Sequence, residues 1–319
     1  MERVGRRALL RGAATLPVAL GGLAGAAGLV GLSGCSAGPP PVPERFRLAT
    51  GPAGAVYREI GTAYAGVLDE AWGARVVDVL HTDAAVENAR MLVAGEAEIG
   101  LVNVDVAAEH PDELRALARV FDSVLHLVVT VDSDVRSLAD LEGRVVAAGL
   151  EESGTRFVLE RMLAHAGVRA EIRTMSQADS VAALLDGEVE VVASLTGMPT
   201  PAVTDLADAA LPTRLADLTA DLPGFVAAYP LSYLSVVIPT TMYPPMPSAA
   251  AVAVPTLLVA PTSTSDDVVR FCVEVLFDRA ADLSAVRPEA SQINPRTGAA
   301  TTPIALHPAA RDWFRDHKP

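Results

Sequence analysis

Residues 46–71 have the sequence FRLATGPAGAVYREIGTAYAGVLDEA and contain the repeating unit of the fold. A short apolar run comes first and ends at a turn that contains glycine and proline. The residues after Ala55 then place apolar side chains such as Ile60 and Tyr64 on one face at helical spacing. The stretch therefore predicts a buried strand, a loop and an amphipathic helix.

The same order of elements recurs along most of the chain. In the first part it predicts strands at 76–80 and 99–103, a helix at 84–94, and a pair of strands at 114–131 that breaks at Asp122-Ser123. In the second part it predicts strands at 144–148, 170–174 and 189–194, helices at 155–166 and 179–186, a return crossing at 237–255 and a helix at 265–281. Such alternation is typical of a layered α/β fold. Because the second series repeats the plan of the first, we expect lobe I at 46–131 plus 251–319 and lobe II at 132–250.

The beginning of the chain has the features of an export signal. Arg6 and Arg7 form a twin-arginine pair, an uncharged apolar run covers 12–34, and small residues precede Cys35. This pattern predicts removal of residues 1–34 and lipidation of Cys35, followed by a stiff proline-rich spacer at 35–45. A single-pass membrane anchor is the alternative, but the glycines of the run disfavour a helix. We therefore expect an extracytoplasmic lipoprotein anchored to the cell membrane.

The rest of the chain is strongly acidic. Four arginines and one glutamate precede Cys35, so the net charge of the remaining chain is −17, against −14 for the whole. Such a charge repels nucleic acid, and nucleic-acid binding is excluded as an expected function. Cys272 has no cysteine to pair with once Cys35 is lipidated, and its helical spacing from Val268 and Val275 predicts a small buried side chain.

Three loops are candidates for ligand binding because each joins the carboxyl end of a predicted strand to a helix. They span residues 50–57, 151–155 and 196–200. Ligands of open α/β sheets gather at such ends, where free N–H groups and the positive end of the helix dipole favour a carboxylate or phosphate. The three loops together predict a cleft for a small anionic solute.

The sequence contains no familiar catalytic or metal-binding motif. The nucleophile elbow, the zinc-protease helix motif, the phosphate loop and the dinucleotide fingerprint are all absent. The six histidines lie far apart in the sequence. Acidic pairs such as Asp266-Asp267 fall where carboxylates stabilise the start of a helix. We therefore expect a binding protein that is not an enzyme and uses no metal or cofactor.

Six short motifs follow one another between residues 46 and 314. They are TGPAGAVYREIG (50–61), AAVENARMLVAGEAEIGLVNVDVA (84–107), SLADLEGRVVAAGLEESGT (137–155), LLDGEVEVVASLTGMPTPAV (184–203), PLSYLSVVIPTTMY (230–243) and HPAARDWF (307–314). Their order and spacing resemble those of the TAXI-type solute-binding subunits of tripartite ATP-independent periplasmic (TRAP) transporters. In that family the first loop usually has the pattern T-G-S-T-G-G-x-Y, and the second motif begins G-S-x-x-N.

This resemblance implies a type II periplasmic-binding-protein fold, with a ligand cleft between two lobes joined by hinge strands. It implies glutamate, glutamine or a related dicarboxylate as the ligand and the TRAP membrane permease as the partner of a monomeric receptor. The ligand-binding residues that it implies are Gly54, Ala55, Tyr57, Asn88, Ser153, Gly154, Thr155, Thr196 and Pro199.

The resemblance also assigns roles to these side chains. Tyr57 would form a flat wall with a hydroxyl, Asn88 would both donate and accept hydrogen bonds, and Ser153 and Thr155 would donate to a carboxylate. Two positions depart from the family pattern, because Ala55 stands at its second glycine and Ala85 at its serine.

Two other functions remain open from the sequence. The receptor could pass its closed state to a membrane sensor kinase instead of a permease, or the fold could have become an enzyme or an inert surface lipoprotein. Arg156, just inside a predicted helix, is an optional charge partner for the ligand, although arginine prefers solvent. The sequence leaves the ligand, the coupling ion and the partner open.

Overall fold

The computed structural model describes residues 39–317. The predicted export signal and Cys35 lie outside this range. Residues 39–45, predicted to be a spacer, contain no helix or strand. Across residues 39–317, no helix has both the length and the apolar character needed to cross a membrane.

Strands and helices alternate through the described residues, as the sequence predicts. The strands are β1 (Phe46–Ala49), β2 (Val77–Leu80), β3 (Ile99–Asn103), β4 (Leu114–Thr130), β5 (Val145–Ala147), β6 (Glu171–Arg173), β7 (Val191–Thr196), β8 (Thr213–Leu215), β9 (Leu234–Ile238) and β10 (Ala249–Pro261). The helices are α1 (Val56–Trp72), α2 (Ala85–Val93), α3 (Val104–Ala107), α4 (Gly154–Ala166), α5 (Gln177–Leu185), α6 (Pro201–Asp208), α7 (Leu222–Ala228), α8 (Asp266–Asp278), α9 (Ala280–Val286), α10 (Pro295–Gly298) and α11 (Pro308–Asp316). Two short 3₁₀ turns lie at Leu138–Leu141 and Pro288–Gln292.

The strands form one mixed sheet. Its main path is β2-β1-β3-β10-β4-β7-β5-β6, with β8 beside β4 and β9 beside β10. At one end β1 is parallel to β2 and β3, and at the other end β5 is parallel to β6 and β7. Each end therefore has the parallel plan that strand–loop–helix units produce, and the predicted layered α/β class is confirmed.

Two long strands connect the two ends of the sheet. The 17 residues of β4 pair with β10 from Leu114 onward and with β7 over Val124–Val128. The 13 residues of β10 pair with β9 at their start and with β3 from Thr256 to Val259. We call residues 46–131 with 251–317 the first half and residues 132–250 the second half. As domain boundaries these limits stay a prediction.

The predicted break at Asp122-Ser123 is wrong, because β4 is one continuous strand. Asp122 pairs with Pro255 of β10, and its carboxylate accepts a 2.6 Å hydrogen bond from Arg119, so the polar side chain fits within the strand. One other prediction also needs correction, because the helix at 265–281 is two helices that meet at Arg279. The return crossing at 237–255 contains the end of β9, a loop and the first part of β10.

The C-terminal helices pack on the first half, as expected for lobe I. Trp313 of α11 stacks on Phe277 of α8, with ring centroids 4.9 Å apart. Cys272 of α8 is fully buried, as predicted, and burial raises the pKa of its thiol to about 12. It is therefore an unreactive core side chain.

Candidate functional site

A cavity lies between the two halves, next to the carboxyl ends of β3 and β7. From the first half it is lined by the start of α1 and by Asn103, and from the second half by the loop before α4 and by residues 192–196. We call it the central cavity. Its volume is about 690 Å³ when it is measured out to the open mouth, and the enclosed part is much smaller, which suits a compact solute.

Six of the nine predicted binding residues line the central cavity. These six are Ala55, Tyr57, Ser153, Gly154, Thr155 and Thr196. The other three lie elsewhere. Gly54 is exposed in the turn before α1, Pro199 is exposed beside a different cavity, and Asn88 is buried behind the cavity wall.

The N-termini of two long helices from opposite halves reach the cavity. At α1 the cap residue Ala55 supplies no side-chain hydrogen bond, and at α4 the hydroxyl of Ser153 accepts only from the N–H of Arg156. The first N–H groups of a helix have no acceptor within the helix. Together they give the cavity a set of donors and a partial positive charge from both sides, which favours an anion.

The N-terminus of α2 is closed by a contact between the halves. The carbonyl oxygen of Glu152, in the second half, accepts hydrogen bonds from Val86 N at 3.1 Å and Glu87 N at 3.2 Å. The Glu152 side chain also pairs with Arg90 at 3.2 Å. The structure therefore has the two halves in direct contact along one side of the cavity, and α2 offers its donors to protein rather than to a ligand.

The Ser153 hydroxyl does not have the predicted role, whereas the Thr155 hydroxyl keeps a proton that it can still donate. Ser153 Oγ donates to the carbonyl of Leu150 at 2.7 Å, and Thr155 Oγ1 accepts from Leu195 N at 3.0 Å. Both bonds hold the loop and strand of the second half in place. A ligand at this wall would meet the backbone N–H groups of α4 and the hydroxyl of Thr155.

Tyr57 forms a wall of the cavity, as predicted, but its hydroxyl contacts the long strands. The Tyr57 oxygen lies 3.2 Å from Thr256 Oγ1 on β10. The same Thr256 oxygen lies 2.9 Å from Ser123 Oγ on β4 and accepts from Asn103 Nδ2 at 3.3 Å. Burial raises the pKa of Tyr57, so its hydroxyl is neutral. This buried cluster links the cavity to the two strands that connect the halves.

Asn88 uses its side-chain amide to fix the loops around the cavity. Its Nδ2 donates to the carbonyls of Thr50 at 2.6 Å and Leu101 at 2.7 Å, and its Oδ1 accepts from the Thr82 hydroxyl at 2.7 Å. The side chain is fully buried. Its two-way hydrogen bonding therefore serves β1, β3 and the loop before α2, in place of the expected ligand contact.

Sequence reasoning missed a second group of cavity residues, because it considered only loops that contain glycine. Asn103 ends β3, Asp83 precedes α2, and Ser176 and Gln177 begin α5. The sequence signal that could have identified these four residues is a polar side chain at a strand end or helix start, even where no glycine is present. Ser180 and Ser194, inside a helix and a strand, gave no comparable signal.

Arg156 does not reach the cavity wall. Its guanidinium pairs with Glu151 and, at 2.7 Å, with Glu160. The side chain is directed to neighbouring carboxylates at the surface, which agrees with the preference of arginine for solvent and not with a role as charge partner of the ligand. Among residues 39–317, no three His, Cys, Asp or Glu side chains lie close enough together to hold a metal ion.

A second contact between the halves surrounds the buried carboxyl of Asp105. Tyr233 of the second half donates to Asp105 Oδ2 at 2.8 Å, and Arg161 donates to the Tyr233 hydroxyl at 3.3 Å and to Glu109 at 2.6 Å. Burial raises the pKa of Asp105 to about 6, although the Tyr233 hydrogen bond and the Arg161 charge oppose the rise.

Replacement of Asp105 by asparagine should change how stability depends on pH. The folded-state pKa of about 6 exceeds the ordinary value of 3.8, so the folded chain binds this proton more tightly. The stabilisation of the fold that comes from binding this proton is therefore full below pH 4 and is lost as the pH rises through 6. We compare the free energy of unfolding of Asp105→Asn with that of wild type at each pH. The difference, variant minus wild type, should be about 2–3 kcal/mol higher at pH 7.5 than at pH 4. Urea unfolding at both pH values measures this; a pH-independent difference contradicts it.

Comparisons with known proteins agree with this architecture. The fold is similar to that of a putative L-cystine ABC transporter protein from Listeria monocytogenes, with a TM-score of 0.52 and 14% identity, over 83% of this chain and 99% of that one. It is also similar to the alkanesulfonate-binding protein SsuA from Xanthomonas axonopodis pv. citri, with a TM-score of 0.50 and 14% identity, over 86% of this chain and 84% of that one. At such identities the likeness shows the fold alone.

This likeness confirms the predicted two-lobed fold of the periplasmic-binding-protein kind. The family whose sequence model matches is described as NMT1-like, and the match runs over residues 48–317. Because the match covers most of the described residues, including the central cavity, the chain belongs to the NMT1-like family.

Proposed function

We propose that the chain is an extracytoplasmic solute-binding lipoprotein that captures a small anionic organic solute for a secondary transporter of the TRAP type. The solute is glutamate, glutamine or a related dicarboxylate-like compound. Cys35 carries the lipid anchor, and the membrane permease is the partner that receives the solute. The fold, the family and the cavity between the halves support solute binding. The motifs at 50–61 and 137–155 support the TAXI subtype.

The observation that carries the proposal is the approach of α1 and α4 to one cavity from opposite halves. Each helix brings unpaired N–H groups and the positive end of its dipole. A carboxylate between them gains contacts from both halves only when the halves are together. A ligand that binds one state better shifts the population to that state, which is how such a protein closes on its solute.

Asp83 favours an amino acid over a simple dicarboxylate. Asp83 lines the cavity, and its Oδ2 accepts a 3.3 Å hydrogen bond from Glu152 N. An α-ammonium group beside Asp83 would balance this charge, while the α-carboxylate occupies the helix N-termini. Glutamate and glutamine have both groups, whereas 2-oxoglutarate and succinate lack the ammonium.

A thermal-shift screen tests the proposal. The protein is a chain that begins at Pro39 and so contains every helix and strand described above. It is mixed in turn with L-glutamate, L-glutamine, 2-oxoglutarate and succinate. A solute at 100 times its dissociation constant should stabilise the fold by about 2.7 kcal/mol, which raises the melting temperature visibly. We expect the amino acids to give larger shifts than their keto-acid or dicarboxylate analogues. A screen in which none of the four raises the melting temperature contradicts the proposed ligand class.

A further inference from the structure

One buried hydroxyl in the wall of the central cavity has no hydrogen-bond partner. Ser194 is 2% exposed, and within residues 39–317 its Oγ is one of three buried side-chain polar atoms left without a partner. The other two are indole nitrogens of Trp72 and Trp313, which lie in aromatic clusters away from the cavity. Buried polar groups are almost always paired, so an unpaired one in a cavity wall points to a missing ligand atom.

The groups around Ser194 engage its backbone and not its hydroxyl. Its carbonyl oxygen lies 3.3 Å from Nδ1 of His126, so its backbone is already engaged. Burial lowers the pKa of His126 to about 4, so the imidazole beside the strand is neutral at physiological pH. Side chains alternate along a strand, and Ser194 shares its face of β7 with Val192 and Thr196.

The start of α5 lies in the same part of the wall. Ser176 and Gln177 line the cavity there, and the α5 N-terminus adds a partial positive charge from a nine-residue helix. This part belongs entirely to the second half and is separate from the Gly154 end of α4. It combines a hydroxyl donor with a helix start, beside the apolar side chains of Val192 and Ala202.

We infer that Ser194 is a specificity-determining residue that donates a hydrogen bond to the distal oxygen of the bound solute. The inference rests on the proposed function and extends it. The α1 and α4 N-termini hold the α-carboxylate, and a second subsite between β7 and α5 takes the distal carboxylate or amide. The solute therefore has oxygen acceptors at both ends of a short apolar chain, and a solute without the distal oxygen binds less tightly.

Isothermal titration of the chain from Pro39 with L-glutamate, L-glutamine and L-norvaline tests the inference. L-norvaline has the same five-carbon chain but no distal oxygen. The variant is Ser194→Ala, and the control is Thr213→Val. Thr213 begins β8 outside the cavity wall and is 7% exposed, and its hydroxyl donates to the carbonyl of Leu206 at 2.8 Å.

We expect Ser194→Ala to weaken binding of the preferred amino acid about tenfold, to leave norvaline binding unchanged and to leave the ligand-free melting temperature at or above that of wild type. Thr213→Val should leave affinity unchanged and lower the ligand-free melting temperature. If wild type binds an amino acid and Ser194→Ala binds it equally tightly, the role of Ser194 is overturned, whereas the proposed ligand class is not. A wild-type protein that binds none of the three overturns the proposed ligand class and the Ser194 role with it.

Discussion

Replacing Gly154 with valine is expected to abolish solute binding while leaving the fold intact. A Cβ atom at this position would lie 2.5 Å from Asn103 Oδ1 and 3.2 Å from Ala85 Cβ, both in the first half. Asn103 is buried and bonded to Thr256, so it cannot simply move aside. The valine side chain must push the start of α4 away from the first half, which separates the two helix N-termini that share the ligand. We expect at least a 100-fold loss of affinity, because contacts from both halves are then lost together.

Isothermal titration with the amino acid that binds wild type measures this loss. The matched control is Gly66→Val in the middle of α1, where an added Cβ would meet no atom within 4 Å. This control should leave stability unchanged or slightly raised, because valine is a better helix former than glycine, and it should leave affinity unchanged. Gly154→Val that binds as tightly as wild type would show that the solute does not need the two halves to be in contact.

Replacing Asn88 with alanine is expected to lower the free energy of unfolding by about 4 kcal/mol, because several buried hydrogen bonds are lost at once. The carbonyls of Thr50 and Leu101 and the hydroxyl of Thr82 would all lose their partner in a buried environment. Urea unfolding of the chain from Pro39 measures the change.

Thr82→Val serves as the smaller comparison, since it removes one donor to Asn88 and one acceptor for Ala84 N and should cost about 2 kcal/mol. At a temperature where Asn88→Ala is still folded, its affinity for the solute should stay close to that of wild type, because the side chain lies behind the cavity wall. A variant that keeps full stability but loses binding would restore Asn88 as a ligand residue.

Much of the fold could be predicted because its elements are local. The strand–loop–helix unit at 46–71 appears within two residues of the expected bounds, since apolar periodicity and a glycine turn are enough to define it. The break predicted at Asp122 failed because the polarity of one residue was taken as a turn signal. Its partner Arg119 is in the same strand, but the pairing with Pro255 of β10 is distant in sequence.

The candidate site was predictable only in its position. Ala55, Tyr57 and Gly154, which the glycine loops at strand ends singled out, line one cavity. The use of each polar group was not predictable, because it depends on contacts between distant segments. The Ser153 hydroxyl is consumed by a nearby carbonyl, whereas Ser194 becomes unpaired only through the packing around β7. A motif fixes which residues meet, and their hydrogen-bond partners then decide which of them remain free for a ligand.

The central claim is that the two halves close on a small amino-acid-like solute, and a distance measurement between them tests it most directly. Val93→Cys in α2 and Leu185→Cys in α5 place spin labels at exposed positions on opposite halves, while Cys272 is fully buried and unreactive. Pulsed electron paramagnetic resonance is recorded on the chain from Pro39, alone and with saturating L-glutamate, L-glutamine or 2-oxoglutarate. The account predicts a broad distance distribution without solute that becomes shorter and narrower with at least one of the amino acids. Identical distributions under all four conditions would contradict it.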